Sequence, residues 1–179
     1  PIYKCSEDDI EAVLFYGSSG AMITNVFIRN KEEYEVEGVK HKTIWFYYTS
    51  TEGVFYGTVH SNTCLIEVDK VRNVSGIQKN CMLLDKREII VASIVSQSIF
   101  VIESGKVKNE YQFQGIITYL HKYKDYLCVC LTFDNSYFLG IFDPKINIFQ
   151  YYEETGDEIT YLLSNAEKFM YLVKKKEEE

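Results

Sequence analysis

The chain has 179 residues, 46% of them apolar and 15% aromatic, and its 26 acids against 19 bases leave a net charge of −7. So much apolar material in about one domain's length excludes a disordered chain, and the acidic balance, with Arg29, Arg72 and Arg87 as the only arginines, lacks the basic footprint of a nucleic-acid binder. No apolar run approaches the ~20 residues a helix needs to cross a bilayer, and no polybasic stretch stands beside an apolar anchor, so direct membrane insertion is not expected.

The predicted elements are strands throughout, as the abundance of Tyr and Phe and the two prolines suggest. In chain order, short apolar runs cover residues 12–16, 21–28, 43–49, 53–59 and 63–68. They continue at 81–84, 88–95, 97–103, 111–114 and 117–120. The last are 125–133, 136–143, 146–152, 159–163 and 168–173. Turn residues separate them, among them Gly17-Ser18-Ser19-Gly20, Ser61-Asn62, Asp134-Asn135, Asp143-Pro144 and Thr155-Gly156-Asp157. Many short strands at this spacing read as a sandwich, barrel or propeller.

A repeat selects among these. Ile117-Thr118-Tyr119-Leu120 returns 42 residues later as Ile159-Thr160-Tyr161-Leu162, each copy followed by a polar stretch and a further apolar strand. Weaker echoes stand upstream at Gly76-Ile77 and at Ile44-Trp45-Phe46. A period of ~40–45 residues with four strands per unit is the spacing of a propeller blade. Inner strands such as Cys128-Val129-Cys130-Leu131 are apolar throughout, as a sheet covered on both faces requires. The stretch from Val107 to Phe113 alternates with Lys108, Glu110 and Gln112, as an outer strand should. The expected fold is therefore an all-β partial propeller of about four blades without the Trp-Asp signature, as a single unit over residues 1–179. Its approximate blades are 11–43, 44–76, 77–116, 117–158 and the start of another at 159–179. A half ring of this kind should leave one blade face uncovered; a small closed barrel or sandwich is the alternative. Pro1 in place of Met reads as a fragment or a processed terminus, and residues 174–179, three lysines and three glutamates, as a solvated exit from the last strand.

Few residues suggest chemistry. Cys5, Cys64, Cys81, Cys128 and Cys130 are odd in number and irregular in spacing, the pattern of reduced thiols in a cytosolic protein. Cys128 and Cys130 share one strand face, but no further Cys or His follows at zinc spacing, and two packed core thiols are the favoured reading. His41, His60 and His121 sit in polar, turn-like contexts that read as surface loops, with no nucleophile motif nearby. Gly17-Ser18-Ser19-Gly20 lacks the Gly-Lys-Ser/Thr of a phosphate loop and reads as a hairpin turn. Glu7, Asp8, Asp9 and Glu11 lack calcium-loop spacing and read as a solvated acidic loop. Trp45-Phe46-Tyr47-Tyr48 reads as an inner strand packed between blades. The sequon Asn73-Val74-Ser75 would matter only in a secreted chain. No catalytic, cofactor or metal residue is nominated, and no small-molecule substrate is expected.

From Thr43 onward the order of strands resembles one family. The residues that carry this are Gly38-Val39, Glu52-Gly53-Val54-Phe55-Tyr56 and Val74-Ser75-Gly76-Ile77-Gln78. After them come Glu88-Ile89-Ile90-Val91-Ala92, Ser98-Ile99-Phe100-Val101-Ile102 and Gln112-Phe113-Gln114-Gly115. Lys124-Asp125-Tyr126-Leu127-Cys128-Val129 and Leu139-Gly140-Ile141-Phe142-Asp143 continue the series, and Phe149–Tyr152, Ile159–Leu163 and Lys168–Val173 follow in the same order. In this order they resemble the N-terminal β-propeller, in its later blades, of the eleventh vacuolar protein sorting subunit, a class C core member of the HOPS and CORVET tethers. The resemblance implies a non-enzymatic scaffold in membrane tethering and vesicle trafficking. It would be cytoplasmic and peripheral on endosomal, lysosomal or vacuolar membranes, and partnered by other class C sorting subunits and tether components. The family's α-solenoid and RING zinc domain would lie beyond Glu179. The alternatives are a propeller scaffold of a coat or nuclear-pore-type assembly and a small all-β enzyme.

Overall fold

A computed structural model describes residues 23–50, 52–60, 65–85, 87–164 and 168–174, and every regular element among them is a strand. Strands β1 (Ile23–Val36), β2 (Val39–Ser50), β3 (Gly53–His60) and β4 (Leu65–Lys70) form the first sheet. Strands β5 (Ile77–Asp85), β6 (Glu88–Ser93), β7 (Ser98–Glu103) and β8 (Lys106–Gln112) form the second. The third comprises β9 (Ile116–Tyr123), β10 (Tyr126–Phe133), β11 (Ser136–Asp143) and β12 (Ile148–Glu154), and a final pair is β13 (Glu158–Ser164) with β14 (Phe169–Lys174). All pairings are antiparallel between chain neighbours, so each sheet is a simple meander. The fold is all-β.

The sheets stack face to face, and strand alternation explains the unbroken apolar runs. In the second sheet Ile89, Val91, Phe100 and Ile102 pack against Tyr47, Val54, Val71 and Val74 of the first sheet and its exit. Their neighbours Ile90, Ala92, Ile99 and Val101 point the other way, onto Leu127, Val129, Leu131 and Phe142 of the third. A strand buried on both faces has no polar side to show, and its sequence loses the period of two. The pattern repeats in β10, where Cys128 and Cys130 face Ile159 and Leu162 of the final pair. The fourth strands β8 and β12 are exposed at nearly every residue. The sheets approach each other most closely along their first strands, where β5 meets both β1 and β9, and β9 meets β13. Here Cys81 Sγ donates to the Ile117 carbonyl at 3.5 Å, and Lys122 pairs with Asp85 at 2.5 Å.

The 42-residue repeat appears in the hydrogen bonding. The residue after each fourth strand returns a backbone N–H to the region where the third begins: Val71 to Val54, Phe113 to Gln97 and Thr155 to Tyr137. Positions 71, 113 and 155 are 42 residues apart. Thr118 and Thr160, at the same interval, are each the extra residue of a β-bulge in the first strand of their sheet. Their hydroxyls donate to the carbonyls of Cys130 and Leu172 at 3.4 and 3.2 Å. A bulged residue leaves the ladder, and a threonine can satisfy the freed carbonyl with its own side chain. Replacing Thr118 with valine should therefore cost about 1 kcal/mol, read as a lower urea midpoint with unchanged slope. An unchanged midpoint would deny the hydroxyl this role.

The observed boundaries depart most from the sequence reading in the first sheet. The expected division between residues 43 and 44 falls inside β2, and the first sheet runs instead from Ile23 to Lys70. The cause is a hairpin arm. β1 and β2 pair from Val36↔Val39 back to Ile23↔Ser50, whereas β3 joins only from Thr43. The polar segment of residues 31–42 thus forms a two-stranded ribbon beyond the sheet, with no buried face to impose an apolar period. Its tip, Glu37-Gly38, has φ of 52° and 78°. Positive φ at both central residues is the two-residue hairpin turn whose twist matches its strands, and glycine adopts it without strain. The described residues hold three four-stranded sheets and one strand pair; the expected runs at 12–16 and at the start of 63–68 lie wholly or partly outside them.

Candidate interaction surfaces

Cys128 and Cys130 share one face of β10, both buried against Leu139, Ile159 and Leu162. Burial pushes the Cys128 thiol up to about 11 and those of Cys81 and Cys130 up to about 12. A thiol so shielded stays protonated and inert near neutrality. Cys5, Cys64, the acidic group Glu7, Asp8, Asp9 and Glu11, and Gly17-Ser18-Ser19-Gly20 lie outside the described residues.

The histidines are not in loops. His41 stacks on Tyr34 across the arm, with ring centroids 5.2 Å apart, and His60 at the end of β3 holds Thr43 Oγ1 at 3.0 Å through Nδ1. His121 lies half-buried in β9, and its desolvation lowers its pKa. His41 and His60 lie on the paired neighbours β2 and β3, whereas His121 belongs to the third sheet. Local polarity suggested loops because strands here extend past the apolar core. The aromatic run divides by alternation: Tyr47 faces the second sheet, whereas Phe46 and Tyr48 lie with Ile44 and Val59 on the opposite face, also buried. Asn73 is exposed at a positive φ of 63°. Among the described residues no three His, Cys, Asp or Glu side chains converge.

Surfaces, rather than a reacting constellation, are what the stacking creates. Away from the first strands the sheets leave clefts at their third and fourth strands. Between the second and third sheets a hollow of about 540 Å³ is walled by Phe113, Phe142, Phe149 and Tyr152. Phe113, Phe142 and Phe149 meet edge to face with centroids 5.1–5.6 Å apart, and Tyr111 donates its hydroxyl to the Pro144 carbonyl at 2.9 Å.

The corresponding cleft between the first and second sheets is larger, about 710 Å³, and differently charged. Tyr56 and Phe100 form its apolar floor, and Lys70, Arg72 and Lys106 stand at its walls with a single carboxylate, Glu110. That carboxylate accepts a hydrogen bond from Ser98 Oγ at 2.9 Å. Lys70 Nζ lies 5.7 Å from the Phe55 ring centroid, and none of the three cations forms an ion pair among the described residues. At one end the Tyr56 ring lies so close over Gly105 that a Cβ would stand 2.2 Å from it, and the Gly105 N–H donates to the buried Tyr47 hydroxyl at 3.2 Å. No local motif announced this cleft, because its walls come from β3, β4, β7 and β8 and meet only through sheet stacking.

Two further surfaces flank the stack. The arm exposes Val36 and Val39 at its tip, and the final pair exposes Tyr161, Met170 and Leu172 on the face turned away from Cys128 and Cys130. Compared with known proteins, the chain matches no protein-family model and no curated protein at a significant level.

Proposed function

We propose that this chain is a non-enzymatic protein-interaction scaffold whose stacked sheets are consecutive blades of a β-propeller. One observation carries the reading: four-stranded meanders, repeated at 42 residues, approach most closely along their first strands and open toward their fourth. That is the geometry by which blades surround an axis and offer clefts at their rims. The exposed apolar face of β13 and β14 supports it, since a blade in a ring has a neighbour on that side. The setting is proposed from the sequence resemblance alone: a subunit of an endosomal or vacuolar tether of the class C type, cytoplasmic and peripheral on those membranes, acting in vesicle trafficking.

The test is affinity capture with the tagged chain followed by mass spectrometry, beside size-exclusion chromatography of the chain alone. Recovery of class C sorting subunits, with a self-associating chain, is the expected result. Recovery of coat or nuclear-pore subunits instead would overturn the tether setting and keep the scaffold. A well-behaved monomer that captures no partner would overturn both.

A further inference from the structure

We propose that the cleft between the first and second sheets is a docking groove for an extended acidic peptide segment that also carries large apolar side chains. The proposal rests on the scaffold reading and names the chemistry of a partner for it. Charge complementarity points to the occupant. In a chain of net charge −7, this cleft gathers Arg72 and Lys106, with Lys70 at its edge and its ammonium turned over Phe55, against Glu110 alone, and that carboxylate is already engaged by Ser98. Elsewhere on the surface Lys108 is neutralised in place by Glu88 and Glu103, and Lys145 by Asp125. Two cations without an ion-pair partner among the described residues, in one cleft of an acidic surface, focus a positive potential there and repel a basic ligand.

Shape and polarity choose a peptide over a compact anion. The lining reaches from Ser96, in the turn before β7, to Gly105, in the turn after it. It therefore follows a six-residue strand, about 20 Å of extended chain. A groove of that length matches a segment of roughly six to eight residues laid alongside. Tyr56 and Val107 give apolar side chains a place to bury between the charged contacts. The Ser96 hydroxyl is shielded from solvent without a hydrogen-bond partner among the described residues. A nucleic acid or anionic membrane would have to approach a molecule whose net charge opposes it, with too few cations to compensate.

The experiment uses the whole chain and a fluorescent decapeptide alternating Glu with Leu and Phe, read by polarisation, beside the same peptide with Lys for Glu. Vesicles containing phosphatidylinositol phosphates and a single-stranded oligonucleotide form the other arms. The acidic peptide should bind, weaken as sodium chloride rises from about 0.05 to about 0.5 M, and lose about tenfold or more in affinity in Arg72→Glu/Lys106→Glu. Both positions are exposed, so the variant should keep the wild-type urea midpoint, and the single variant Lys106→Gln provides a second, milder readout. Equal binding of the basic peptide, tighter binding to vesicles or oligonucleotide, or an unchanged affinity in the variant would overturn the assignment. Repeating the affinity capture with the variant separates the two proposals. Partners retained by wild type and variant alike, with no acidic peptide bound, remove the groove and leave the scaffold; no partner for either protein removes both.

Discussion

Phe142→Ala should destabilise the protein by about 3–5 kcal/mol, the largest effect expected of any single substitution at the joint between the second and third sheets. Phe142 is 2% exposed and sits in the shared cluster that includes Ile90, Ala92, Leu127 and Val129. Its ring is met edge to face by Tyr111, Phe113 and Phe149 at 5.1–5.5 Å. Removing it deletes the transfer free energy of a phenyl ring, opens a cavity that three other rings cannot fill without leaving their rotamers, and forfeits the edge-to-face pairs. Urea denaturation followed by tyrosine and tryptophan fluorescence checks this. Phe149→Ala should cost less, because Phe149 lies at the margin of the cluster. A loss below about 1 kcal/mol for Phe142→Ala would mean that the two sheets are not held by this cluster.

Alkaline pH should destabilise the protein steeply above the unfolded thiol value near 9. The thiols of Cys81, Cys128 and Cys130 are pushed from 9 to about 12, 11 and 12 by burial in the joints between sheets. The Tyr48 and Tyr111 hydroxyls are also raised, first by desolvation and then by nearby carboxylates. The folded state thus keeps protons that the unfolded chain releases. Stability is fully present below the unfolded thiol value near 9 and falls as pH rises toward the folded values. Each thiol contributes a loss of about 1.4 kcal/mol per pH unit in that window. Urea midpoints measured from about pH 7 to about pH 10.5 should be flat at first and then drop steeply, and Cys130→Ala should make the drop shallower whatever it does to the midpoint at neutrality. A midpoint that stays level past pH 10 would show that these thiols ionise without unfolding, and so are more open to water than their packing implies.

Strands were legible wherever burial on both faces left its mark. Glu88–Ser93 and Ser98–Glu103 could hardly be anything else, and the matching Ile-Thr-Tyr-Leu segments at 117 and 159 fixed the repeat because each carries a threonine as the extra residue of the same bulge. Illegible from sequence was whatever depends on one sheet meeting another or on strands running beyond the core. The arm of residues 31–42 is charged on both sides, so nothing in its periodicity marks it as paired backbone. The echo at Ile44-Trp45-Phe46 misled, since Ile44 lies in a second strand whereas Ile77 and Ile117 lie in first strands. His121 looked like a turn because Lys122 and Lys124 flank it, yet it pairs with Cys128 across the ladder. The cationic cleft could not be foreseen at all: Lys70, Arg72 and Lys106 are scattered through 37 positions of unremarkable sequence.

The meander order has a consequence for how quickly the chain can find its structure. Every ladder joins strands adjacent in sequence, and the turns between β1 and β2, β7 and β8, and β10 and β11 are only two residues long. Most β-rich proteins fold slowly because their pairings close long loops before any contact repays the lost chain entropy. Here each sheet can zip from its own turns as a series of hairpins, on the microsecond scale of such elements, and only the docking of one finished sheet on the next spans a longer stretch of chain. The slow step should therefore be the side-chain interlocking between sheets, so that mutations within a ladder alter folding speed and those in the joints chiefly alter the speed of coming apart.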